Sequence, residues 1–139
     1  MAGVRAVLDT QVWLDWLVFD DPGVATLREA HAAGRVEIVI DAPCEAELER
    51  ALGYELGKFT LEPAERTQCI ARCRSIARRV QAGSAGSLPR CRDADDQKFL
   101  ELAAGAGARY LVSRDRALLD MAYPGLPFRI VGPRDFRLV

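Results

Sequence analysis

Four short apolar runs, separated by stretches with helical periodicity, constrain this chain most. Residues 4–8 (VRAVL), 36–40 (VEIVI), 109–113 (RYLVS) and 128–131 (FRIV) are short, apolar, and uncharged apart from an edge residue or two. Runs of that length with no strict polar alternation suit strands buried on both faces. Strands alternating with helices indicate an α/β fold. The expectation is therefore a three-layer α/β/α sandwich around a mostly parallel central sheet, with right-handed crossovers.

The intervening segments carry helix punctuation. Asp9-Thr10 caps a helix over about residues 11–19, with Val12, Trp13, Trp16 and Leu17 on one stripe. Asp20-Asp21-Pro22-Gly23 reads as a turn, and a second helix runs from about Val24 to a stop at Gly34. Asp41-Ala42-Pro43 opens a third helix bearing Glu45, Glu47, Leu48 and Leu52. Pro63, with Glu65 two residues on, begins a longer helix on which Cys69, Cys73, Ile76 and Val80 repeat at helical spacing. Residues 82–92 read as a loop, too short to separate two domains. Asp93 begins a helix that ends at Gly105 and Gly107. A short helix follows Asp115, and Pro133 starts a last helical turn. Residues 1–139 are expected to form a single domain.

Composition excludes some functions. Half the residues are hydrophobic and 28% are charged, which suits a packed core. The net charge of −1 does not announce a nucleic-acid binder. It is compatible with a metal-dependent enzyme whose acids offset arginines elsewhere; only Lys58 and Lys98 are lysine. No apolar run reaches the ~20 residues of a membrane span. The opening MAGVRAVLDT has no signal-peptide pattern, so a cytoplasmic location is expected. A reducing compartment argues against disulfides among Cys44, Cys69, Cys73 and Cys91. With His31 the one histidine and no CxxC pair, zinc chemistry is disfavoured too.

Ligands of parallel α/β sheets bind beyond the carboxyl ends of the strands. Asp9 directly follows the first run, Asp115 follows the third, and Glu47 sits early in the helix after the second. Asp96 lies in the first turn of the helix that leads into the third strand, and such a helix starts at the same edge. Taken singly, Asp9, Asp93 and Asp115 could be helix caps and Glu47 a solvated side chain. Together these like charges repel one another unless a cation offsets them. Oxygen ligands without histidine or cysteine favour Mg²⁺ or Mn²⁺.

These segments resemble the PIN-domain family. VLDTQVWLDWL is similar to its opening, EAELERAL to its glutamate-bearing helix, CRDADDQKFLELA to the segment with its third acid, and YLVSRDRALL to its last acidic motif. The four pieces occur in order over nearly the whole chain. The match is nearest the subgroup described as toxins of toxin–antitoxin systems. The resemblance implies endoribonuclease activity with Mg²⁺ or Mn²⁺, 5′-phosphate and 3′-hydroxyl products, frequent homodimers, and inhibition by an antitoxin protein. It makes Asp9, Glu47, Asp96 and Asp115 the catalytic, metal-binding acids. Asp93 becomes an auxiliary ligand or cap, and Asp95 is left facing solvent. Thr10 and Ser113 would steady the carboxylates by hydrogen bonds. One departure stands out: the family usually has asparagine where this chain has Gln11, so the amide reaches further out.

RNA near an acidic edge needs basic contacts. Arg114 and Arg116 flank Asp115, Arg92 precedes Asp93, and Arg74 and Arg78 lie one turn apart on the expected long helix. Trp13 and Trp16 could stack bases, but a helical stripe more often packs into a core or a dimer contact. Two other readings compete. A phosphatase of related fold would want a DxD-like aspartate pair and a lysine at the site, and neither Lys58 nor Lys98 is expected there. A PIN-like module with weak or no catalysis, acting by binding RNA or a partner protein, would show no stabilisation by divalent metal.

Overall fold

The computed structural model describes residues 3–138 except 55, 57–59, 82, 84, 85 and 123. The chain runs β1 (Val4–Leu8), α1 (Thr10–Leu17), a 3₁₀ turn (Pro22–Val24), α2 (Ala25–Ala32), β2 (Val36–Ile40), α3 (Ala42–Leu52), α4 (Pro63–Ile76) and β3 (Ala77–Arg79). It continues through a 3₁₀ turn (Ala94–Asp96), α5 (Gln97–Gly105), β4 (Tyr110–Val112), α6 (Arg116–Leu119), β5 (Arg129–Val131) and a final 3₁₀ turn (Pro133–Asp135).

The local signals act as their chemistry requires. Asp9 and Asp41 cap α1 and α3, accepting from the N–H groups of Val12 at 2.9 Å and Cys44 at 3.1 Å. Ahead of Pro63, the Glu62 N–H donates to the Glu65 carboxylate at 2.9 Å, one half of a capping box that starts α4. Gly34, at φ +72°, takes the left-handed conformation that ends α2.

Among the described residues the five strands are all parallel, in the order β3-β2-β1-β4-β5. Ala6, Val7 and Leu8 are consecutive and all buried. Because successive strand side chains point to opposite faces, both faces of the sheet are covered. Trp13 and Trp16 belong to this core, stacked on each other with ring centroids 6.0 Å apart. All four cysteines are buried as well.

One sequence expectation is corrected. Helical spacing carried the fourth helix through Val80, but α4 ends at Ile76 and residues 77–79 form a fifth strand. Ala77 pairs with Ile38 and Arg79 with Ile40, and the Val80 N–H reaches the Ile40 carbonyl at 2.9 Å. The unpaired edge of β2 supplies those backbone bonds, and two arginines suit an exposed edge strand. Arg78 therefore leaves the helix face it was expected to share with Arg74, and lies 3.6 Å from the Glu37 carboxylate.

Candidate metal centre

Strand order reverses at β1. The chain steps outward through β2 and β3, then returns to place β4 on the other side of β1. This switch opens a crevice at the carboxyl ends of β1 and β4. Leu8 pairs with Val112 there, and the Asp9 N–H bonds the Val112 carbonyl at 3.1 Å. Asp9 and the Ser113–Asp115 segment are thus side by side, though more than a hundred residues apart.

Ser113 ties the Asp9 carboxylate to the backbone of Asp115. Its fully buried hydroxyl donates to Asp9 Oδ2 and accepts the Asp115 N–H at 2.9 Å. Asp115 caps α6 by accepting the Ala117 N–H through Oδ1 at 2.8 Å. Asp93 likewise accepts the Asp95 N–H at 3.0 Å, at the start of the 3₁₀ turn that presents Asp96. The capping and clustering readings are therefore both true, because a carboxylate has two oxygens.

A cleft of about 310 Å³ gathers Asp9, Thr10, Gln11, Glu47, Asp96 and Asp115. Among the described residues, Asp93, Asp96 and Asp115 each offer a carboxylate oxygen within 4.8 Å of the others. Asp96 Oδ2 is buried and has no hydrogen-bond partner. Burial pushes the Asp96 carboxyl well above its usual range, reinforced by the charges of Asp115 and Asp93, a hydrogen bond with Asp115, and the charge of Asp9. Asp9 is raised to about 6, chiefly by burial; its bonds from Ser113 and Val12 pull the other way, and the charges of Asp115 and Asp15 add to the rise. Oxygen donors at this separation, with an orphaned buried oxygen on one of the same residues, fit a hard divalent cation.

Asp9 and Glu47 line the cleft outside that triad. Both Asp9 oxygens already accept hydrogen bonds. Glu47 accepts from the Thr10 hydroxyl on one oxygen and from the Lys98 ammonium on the other. Lys98 at this site corrects the sequence reading, which did not expect a lysine there. Its position follows from α5 packing against α3, which brings the first turn of α5 to Glu47. A lysine two residues after Asp96 was the available signal.

Sequence reasoning also missed Asp15. It lies within the apolar run of α1, is 2% exposed, and receives both Nε and Nη2 of Arg114 at 2.9 and 3.1 Å. The Gln11 amide donates to the same carboxylate at 3.0 Å, so it turns along α1 toward Asp15. Two other arginines expected near RNA are paired at the surface. Arg92 and Arg116 converge on Asp120 at 2.8 and 3.4 Å, and all three side chains are substantially exposed. Arg74 joins Arg79 in holding the buried Glu45 carboxylate, at 2.7 and 3.1 Å. Asp95 is exposed.

Fold and site together define a class: a parallel α/β sheet that collects carboxylates at its switch point, where they can hold a divalent cation. A family model described as PIN domain matches residues 5–117, and the chain belongs to the PIN-domain family. That family has a nuclease-type fold and is generally dependent on divalent metal. No curated protein matches the chain. Among the described residues, no helix is long and apolar enough to cross a membrane.

Proposed function

We propose that this protein is an endoribonuclease dependent on Mg²⁺ or Mn²⁺, and the toxin of a toxin–antitoxin pair. The observation that carries the nuclease reading is the triad of Asp93, Asp96 and Asp115, with its buried, unpaired Asp96 oxygen. Asp96 and Asp115 would hold the cation, with Asp93 and Asp9 completing its surroundings. Bound there, such an ion offsets charge on a phosphoryl oxygen and makes a water molecule more acidic.

The chain's own groups account for the rest. Ser113 holds the Asp9 carboxylate beside the Asp115 backbone, and the Ala117 N–H orients the Asp115 carboxylate. Thr10 and Lys98 orient Glu47 toward the cleft, where its carboxylate can hold the attacking water. Lys98 also offers the cleft a positive charge that can meet a non-bridging phosphate oxygen. The surface pairs of Arg92 and Arg116 with Asp120 contribute little stability, so exchanging that carboxylate for an RNA phosphate costs little. Products would carry a 5′-phosphate and a 3′-hydroxyl.

The toxin role, a cognate antitoxin and a homodimer are supported by family resemblance; a single domain and a cytoplasmic location are supported by chain length and the character of the N-terminal residues. The decisive experiment is RNA cleavage with Mn²⁺, with EDTA and the Asp96→Asn variant as controls. Cleavage abolished by both is expected. Full activity in Asp96→Asn would refute the assignment.

A further inference from the structure

Part of the cleft's lining is apolar. Leu14, Leu56 and Phe99 line it and are buried, whereas Tyr54 lines it and is 60% exposed. Among the described residues Tyr54 is the one large hydrophobic side chain left open to solvent. Its backbone is held, since the Tyr54 N–H bonds the Ala51 carbonyl at 3.1 Å just beyond α3. The tryptophans that could have served as stacking surfaces are sealed in the core. An exposed aromatic ring lining a cleft leaves a flat, sequence-tolerant π-surface open to a ligand. It is suited to the π-face of a nucleobase.

We propose that Tyr54 is the stacking platform for the base adjoining the cleaved phosphodiester, and so the residue by which this site distinguishes an unstacked base from a stacked one. This rests on the endoribonuclease reading and adds to it a specificity-determining residue. At about 310 Å³ the cleft is at the small end for a ligand site, which suits one nucleotide better than a folded partner's surface. The polymer backbone would lie along the acid side with Lys98, and the base on the Tyr54 side. Bases in an A-form duplex already stack on their neighbours, so placing one on Tyr54 would require unstacking and unpairing it.

The test uses the full chain carrying Asp96→Asn, so that RNA is not consumed. Fluorescence anisotropy with Mn²⁺ measures binding of a labelled single-stranded oligoribonucleotide and of its blunt duplex, with and without Tyr54→Ala. Tyr54→Ala should weaken single-strand binding on the order of 10-fold and leave the weaker duplex binding unchanged. Tyr54→Trp should retain binding and Tyr54→Leu should not. In the otherwise unaltered protein, Tyr54→Ala should raise KM for single-stranded RNA with little change in kcat. Equal affinity with and without Tyr54, equal loss for both RNAs, or full rescue by leucine would overturn the proposal. So would unchanged RNA binding with loss of self-association in sedimentation, which would assign Tyr54 to a protein contact. If the parent binds and cleaves no RNA at all, the endoribonuclease reading itself fails, a result distinct from these.

Discussion

Replacing Asp9 by asparagine should stabilise the metal-free protein while abolishing its activity. Asp9 ionises near 3.8 when unfolded and at about 6 in the folded protein, mainly because it is buried. Between those values the native state binds more protons than the unfolded one, so stability falls as pH rises through that window. Above pH 6 the ionised carboxylate costs the folded state about 3 kcal/mol, from roughly two pH units at 1.36 kcal/mol each. Asparagine removes the charge and is an equally good cap for the Val12 N–H. It cannot accept the Ser113 hydroxyl proton through its amide nitrogen, a loss of about 1 kcal/mol. The net gain is about 2 kcal/mol. With unfolding entropy near 2.1 cal/mol/K per residue, this is a rise in Tm of about 7 °C for a chain of this length. Thermal unfolding followed by circular dichroism in EDTA at pH 7.5 and pH 4 measures it. The gain should be present at the higher pH and gone at the lower, where wild-type Asp9 is itself largely protonated. A variant that melts several degrees below the parent at pH 7.5 would refute the reasoning, because burial of charge would then not oppose folding at this position.

Other outcomes follow from the same structure. The rise in Tm produced by Mn²⁺ should grow between pH 5 and pH 7.5, because protons held by the raised carboxyls of Asp9 and Asp96 compete with the cation; differential scanning calorimetry across that range checks it. Lys98→Met should tighten Mn²⁺ binding in calorimetric titration, since it removes a positive charge from the cleft, yet slow RNA cleavage by freeing Glu47. Glu45→Gln should cost about 1–2 kcal/mol in urea denaturation and leave the response to Mn²⁺ intact, because its arginine partners remain half-exposed and hydrated. Leu111→Ala, in a fully buried position of β4, should cost about 2–5 kcal/mol by the same measurement.

Much of this architecture is written in local signals. Short apolar runs placed four of the strands, and Asp9, Asp41 and Pro63 marked helix starts where the caps form. Acids directly after strands can be located from sequence because a parallel sheet sends every strand's carboxyl end to one edge. The gathering of Asp9, Glu47, Asp96 and Asp115 into one cleft follows from that rule.

What lay beyond the sequence depended on partners distant along the chain. Ala77–Arg79 has no strand signal of its own and becomes β3 because β2 has a free edge to pair with. Whether Asp93 or Glu47 stands beside Asp96 was settled by the 3₁₀ turn on one side and by Thr10 and Lys98 on the other. Arg114 looked free to meet RNA until α1 brought the buried Asp15 against it. Periodicity and capping are short-range properties, readable over a few residues. Carboxylate spacing, ion-pair choice and the exposure of Tyr54 are set by packing between elements, which no local pattern encodes.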